Sequence, residues 1–235
     1  MYYNYGYGID WTVILLIIGV IITLIAQSRV KSAYARYAKV QAASGLTGAE
    51  TARRILAANG IYGVSVGMVS GSLTDHYDPA KKIVNLSEDI YGSRSIAAIS
   101  VAAHECGHAI QDDMEYAPLR FRTSLVPVVN IGSQLSWPVI IVGLMIPSFG
   151  DTLVTIGILL FSLCVLFQLV TLPVEFDASS RAVAQLEGLG IVTQDEKKEA
   201  GDMLRAAAMT YVASAASAVL SLLRIILSTR GNRRR

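Results

Sequence analysis

The chain has 235 residues, of which 53% are hydrophobic and only 16% charged, with a net charge of +2. This balance excludes an ordinary soluble domain, and so small a charge excludes a nucleic-acid binder. The two cysteines, Cys106 and Cys164, exclude a disulfide framework and fit a reducing compartment.

Met1 to Asp10 is rich in Tyr and Gly and lacks the basic start of a secretory signal. Trp11 to Ser28 is uncharged, and a helix of this length, at about 1.5 Å per residue, crosses the roughly 30 Å hydrocarbon core. Arg29, Lys31, Arg36 and Lys39 follow at once. The positive-inside rule therefore places the N-terminus outside and the next segment in the cytoplasm.

Residues 29–122 read as a non-membrane insert. Thr47-Gly-Ala-Glu50 is a capping box opening a helix over 49–58, which Asn59-Gly60 stops. Val64-Ser-Val66 alternates like a strand. Ser72–Tyr77 and Lys82–Leu86 flank an Asp78-Pro79 turn and form an expected hairpin. Ser87 to Ser93 is expected to close the sheet, and a helix begins near Ser93 or Ser95.

Residues 123–150 are uncharged and predict one membrane helix interrupted by prolines, with Trp137 near its middle or at an interface. Ser148-Phe-Gly-Asp151 makes a tight outer turn. Thr152–Val174 forms a further span and ends at Pro173. A separate polar helix is expected over 175–187, ending at Gly188-Leu-Gly190. Thr193-Gln-Asp-Glu196 is a second capping box, opening a long helix to about Leu227. Its stretch 206–223 is either a fourth span packed through Ala and Ser or a helix lying across the domain. A fourth span would carry Arg230, Arg233, Arg234 and Arg235 outside, against the positive-inside rule. The expected divisions are thus an N-terminal span (1–28), a catalytic part (29–122), two spans (123–174), a third-ligand helix (175–203) and a C-terminal apolar helix with a basic tail (204–235).

The chemistry is concentrated in His104-Glu105-Cys106-Gly107-His108, which holds two of the chain's three histidines. Four positions apart on a helix, both imidazoles lie on one face and can reach one tetrahedral metal ion. Glu105 lies beside the pair, where its carboxylate can take a proton from a water activated by that metal. Cys106 faces away from both histidines and reads as a small core residue. A catalytic zinc needs a third protein ligand. The residues after His108 do not continue as a third-histidine motif, so a downstream carboxylate is the candidate. Glu175, just beyond a span, fits best. Asp177 points about 200° away around the helix and fits less well.

HECGHAIQ, the upstream LTDHYDPAKKIVNLSEDIY and the downstream LPVEFDASSRA together resemble the YugP-like membrane zinc metallopeptidases, over most of the chain. The pattern is also similar to the HtpX and CaaX-processing membrane gluzincins. There the third ligand is a Glu on a helix after a span, and an Asp four residues later buttresses the site; here Ser179 stands at that position. The resemblance implies a Zn2+ cofactor, a polypeptide substrate and a multi-pass protein of the cell membrane. The expected fold is mainly α, with a small β-sheet and a zincin-like HExxH domain on the cytoplasmic side of a bundle of three or four transmembrane helices. In gluzincin-like sites an edge strand pairs with extended substrate. His76, on the hairpin, is then expected to face the cleft and donate to the oxyanion, with Tyr211 as a second candidate donor. The alternatives are a site-2-type intramembrane protease, whose motif lies inside a span, and an inactive zinc-holding scaffold that binds a partner protein.

Overall fold

The computed structural model describes residues 11–146 and 148–232. The Tyr- and Gly-rich start, Pro147 and Arg233–Arg235 of the basic tail lie outside the described residues. Among the described residues, seven helices and a three-stranded sheet follow in the order α1 (Val13–Tyr37), α2 (Gly48–Ala58), β1 (Ser65–Val69), β2 (His76–Asp78), β3 (Ile83–Ser87), α3 (Glu88–Tyr91), α4 (Ile96–Asp113), α5 (Ala117–Met145), α6 (Gly150–Gly188) and α7 (Gln194–Asn232). Four of these helices, α1, α5, α6 and α7, are long and apolar enough to cross a membrane. The chain is thus mainly helical with a small sheet, as expected.

The chain forms two compact units, one of residues 1–25, 125–169 and 212–235, the other of residues 26–124 and 170–211. In the first, the Thr12 and Ser228 hydroxyls are 2.9 Å apart. A Cβ on Gly19 would sit 2.9 Å from Ser217 Oγ. The pairings 12 with 228 and 19 with 217 make α7 antiparallel to α1, with small residues at the seam. In α5 and α6, Trp137 packs edge-to-face on Phe161 with ring centroids 6.3 Å apart. Both Pro127 and Pro138 lie inside the continuous α5.

The second unit holds a conventional core. Ile55 and Leu56 of α2, Val84 and Leu86 of β3, Ile90 of α3, Ile96, Ile99 and Ala102 of α4, and Leu186 of α6 are all buried in one cluster. Helix α4 is apolar almost all round because it runs through this core, with 14 of its 18 residues buried. Ser95 caps it, its Oγ accepting from the Ala98 N–H at 3.2 Å. Both capping boxes are present. Thr47 and Glu50 bond reciprocally at the start of α2. Thr193 and Glu196 do so at the start of α7, where Glu196 Oε1 also accepts the Ala43 N–H at 2.6 Å.

The sheet order is β1-β3-β2. The hairpin β2–β3 is antiparallel, pairing His76 with Asn85 and Asp78 with Ile83. The Asp78 Oδ1 accepts the Ala80 and Lys81 N–H groups and so fixes the turn. β1 joins β3 in parallel, which leaves β2 at an edge.

Three local expectations are corrected. Residues 88–91 form the short helix α3 rather than closing the sheet. The first helix does not end at Ser28 but runs to Tyr37, whose ring is buried in the second unit's core. The separate helix expected over 175–187 is the continuation of α6, which passes through Pro173 without a break. An interior proline costs about 3 kcal/mol in an isolated helix. Burial of the apolar Val174, Ala178, Ala182 and Leu186 beyond it offsets that cost.

Candidate metal centre

Helices α4 and α6 meet at Gly107. A Cβ there would lie 2.5 Å from the Ala178 carbonyl oxygen, so only glycine permits this approach of the two backbones. The contact brings α6 against the face of α4 that carries His104 and His108. Their rings are edge-to-face, with centroids 4.8 Å apart. Glu175 enters between them, its Oε2 lying 3.3 Å from His104 Nε2 and 3.6 Å from His108 Nε2. One ligand atom from each of the three side chains lies within 4.8 Å of the others.

Glu175 is 1% exposed, yet its Oε2 has no hydrogen-bond donor among the described residues. A buried carboxylate oxygen left without a donor is costly, and a cation is the partner that removes the cost. Ligand atoms bound tetrahedrally at about 2.0–2.1 Å stand about 3.4 Å apart. The two separations found here match that spacing. The donor set of two imidazoles and one carboxylate, with a position left open, suits Zn2+.

The far nitrogens of both rings are engaged. His104 Nδ1 lies 3.2 Å from Ser179 Oγ, and His108 Nδ1 lies 3.0 Å from Gln111 Oε1. Ser179, four residues after Glu175, therefore touches the His104 ring. Burial alone would lower the His108 pKa, but the Glu175 carboxylate facing its Nε2 at 3.6 Å and the negative charge of Glu105 outweigh it, and the net shift is upward. Glu105 is buried beside the pair. Tyr211 lies near enough to feel the charges of Glu175 and Glu105, and Arg122 Nη1 stands 3.7 Å from Glu175 Oε1.

Other side chains fall elsewhere. Asp177 points away from the histidines, its Oδ2 accepting from Gln111 Nε2 at 2.8 Å and Arg181 Nε at 2.5 Å. Cys106 is fully buried, with Sγ 3.5 Å from the Ala52 carbonyl oxygen. Burial, then the charge of Glu105, pushes its thiol well above the usual range. The expectation that His76 faces the cleft is corrected. Neighbouring strand residues alternate sides, and Tyr77 is the one turned toward α4, its hydroxyl donating to Asp112 at 2.7 Å. His76 is exposed on the opposite face, with Nδ1 2.8 Å from the Thr74 carbonyl oxygen and Nε2 3.1 Å from Asn85 Nδ2. Sequence reasoning missed Gln111 and Arg122. The spacing of Gln111 three residues after His108 is a signal for the first; Arg122 carries none.

A family model described as "Putative neutral zinc metallopeptidase" matches residues 12–230. The chain belongs to that family. It is 49% identical over 202 residues to a Bacillus subtilis (strain 168) protein named "Putative membrane protease YugP", covering 86% of this chain and 89% of that protein. No solved structure matches. The family's metal and the donor set found here agree on zinc. Helix α4 is not among the four helices long and apolar enough to cross a membrane.

Proposed function

We propose that this chain is a membrane-embedded zinc endopeptidase that hydrolyses peptide bonds of membrane-associated or unfolded proteins at the cytoplasmic face. The observation that carries the reading is the buried, donorless Glu175 Oε2 facing two imidazole nitrogens. His104, His108 and Glu175 hold the metal. When bound, zinc supplies Lewis acidity that acidifies water and polarises a carbonyl. Glu105 takes the proton from the attacking water and returns it to the leaving amine. The Tyr211 hydroxyl, near the charges of Glu175 and Glu105, donates to the carbonyl oxygen as charge develops there. The outer edge of β2 has no strand partner among the described residues, and an extended polypeptide adds there by main-chain hydrogen bonds. Arg29, Lys31, Arg36 and Lys39, directly after the first apolar stretch, support the cytoplasmic orientation.

The test is metal analysis of the purified protein together with turnover of an unfolded protein substrate by the wild type and by Glu105→Gln. One zinc per chain is expected in both, with hydrolysis lost only in the variant. Equal turnover in the variant sinks the peptidase mechanism. Zinc without turnover in the wild type leaves the scaffold reading.

A further inference from the structure

Among the described side chains of the second unit, Gln111 is notable for being polar, fully buried and fully satisfied. Its Nε2 donates to the Val174 carbonyl oxygen at 2.8 Å and to Asp177 Oδ2 at 2.8 Å. Its Oε1 faces His108 Nδ1 at 3.0 Å. We infer that Gln111 is a positioning residue that fixes the tautomer of His108, keeping the proton on Nδ1 and the lone pair of Nε2 directed at the metal position. The inference rests on the zinc reading for its purpose, but its geometry stands apart from it.

The argument is one of acceptors and donors. A side-chain amide can turn over, exchanging its oxygen and its NH2. Here it cannot, because turning would place Oε1 against two acceptors, a main-chain carbonyl and a carboxylate. Asp177 is itself held by Arg181, whose Nε donates to Oδ2 at 2.5 Å, so the carboxylate does not rotate away. The amide oxygen is therefore locked toward His108. An imidazole with its lone pair on Nδ1 would set two acceptors against each other at 3.0 Å. The competing Nε2–H form would face Glu175 Oε2 at 3.6 Å, beyond hydrogen-bond reach, whereas the Nδ1–H form donates to Gln111 at 3.0 Å. The neutral ring therefore takes the Nδ1–H form and leaves Nε2 bare. Two elements cooperate in this. Gln111 lies one helical turn beyond His108 on α4, while Val174 and Asp177 flank Glu175 on α6. The contact that orients one ligand thus also fixes the helix carrying another. Residues that orient a ligating histidine in this manner typically change metal affinity by 10–100-fold when removed.

The chain has three histidines, so the imidazole 15N spectrum of labelled, metal-free full-length protein in detergent is simple enough to read. The His108 signals are identified by their loss in His108→Gln. At a pH where the ring is neutral, the wild type is expected to show the Nδ1–H form. Gln111→Met, close in shape but without the amide, is expected to return the ring to the Nε2–H form preferred by free imidazole. Zinc affinity, read by competition with a chromophoric chelator, is expected to fall by about 10–100-fold in the same variant.

A second arm inverts the hydrogen-bond polarity. Gln111→Glu sets a carboxylate oxygen against Val174 and Asp177, and zinc affinity is expected to fall. Adding Asp177→Asn supplies an amide N–H at the Oδ2 position to meet the introduced carboxylate, with Arg181 shifting to the amide oxygen at the Oδ1 position, and affinity is expected to recover by at least tenfold. A general packing defect would not be repaired by that exchange. If Gln111→Met does not fold, this pair decides the matter. A His108 tautomer unchanged in Gln111→Met, or a double variant no better than Gln111→Glu alone, overturns the inference. A wild type that shows the Nδ1–H form but binds no zinc overturns the metal reading and leaves the tautomer assignment standing.

Discussion

The Tyr77 hydroxyl donates to Asp112 Oδ2 at 2.7 Å, and the Lys82 ammonium reaches the same oxygen at 2.7 Å. One carboxylate at the end of α4 thus anchors β2 and the turn residue that leads into β3. Burial, then the hydrogen bond to Asp112, holds the Tyr77 hydroxyl well above the usual phenol range, so it remains a donor. Tyr77→Phe should lower stability by about 1 kcal/mol. Asp112→Ala, which removes both anchors, should cost about 2–3 kcal/mol and speed proteolysis in the 79–82 loop. Zinc content should be unchanged in both, since neither residue touches a ligand. Thermal unfolding and limited proteolysis, with metal analysis, check this.

Gly107 sets the spacing of α4 and α6. Gly107→Ala forces a Cβ onto the Ala178 carbonyl, which lies in backbone and cannot swing aside. The helices must part, carrying Glu175 away from the histidines. Zinc affinity should drop by at least tenfold without any ligand being altered. A chelator competition assay reads this directly, and affinity equal to wild type would show that the helices need not meet there.

Zinc binding should weaken as pH falls. The metal and a proton compete for the Nε2 of His108, whose pKa is raised in the metal-free protein. Competition therefore begins at a higher pH than it would at an ordinary imidazole, with its pKa of about 6.5. The sign for the metal-free fold is opposite. A raised folded pKa contributes stability that is full below the unfolded value and lost as pH rises through the folded one. The rise in unfolding temperature on adding zinc should thus shrink steadily from pH 8 to pH 6. Paired thermal scans with zinc and with chelator test both signs.

Tyr211 and His76 make opposite forecasts. Tyr211→Phe should lower kcat by roughly ten- to thousand-fold with zinc retained, as expected for loss of an oxyanion donor. His76→Ala should retain zinc and most of its turnover, because its ring nitrogens face Thr74 and Asn85 on the outer side of the sheet. Steady-state kinetics on the two variants separates the candidates.

The features readable from sequence were those whose physics is local. The i, i+4 spacing of His104 and His108 places two rings together wherever the helix lies, and each capping box is complete within four residues. Glu175 needed one further argument, that a catalytic zinc takes a third ligand. What escaped was decided by packing at a distance. Pro173 marks a helix end by local rules, but the buried residues that follow it keep α6 helical on both sides of it. The parallel pairing of β1 with β3 skips β2 in the chain and so has no local turn to announce it. The outward turn of His76 follows from strand register, which a single bulky neighbour, Tyr77, decides. Gln111 stood in plain sight, but its role appears only when Val174 and Asp177 arrive from another helix.

The order of the chain also has a consequence for how the protein is made. The two histidines come from α4 and Glu175 from α6, with α5 and the apolar length of α6 synthesised between them. Gln111 and Asp177, which tie these helices together, are separated by 66 residues. During translation the HECGH helix leaves the ribosome well before the residue that completes its metal site. Zinc therefore cannot be held by all three ligands until two long apolar helices have found their place. A nascent chain that stops short of α6 carries both histidines without the carboxylate that completes the three-residue cluster, so the order of synthesis makes the cluster one of the last features to form.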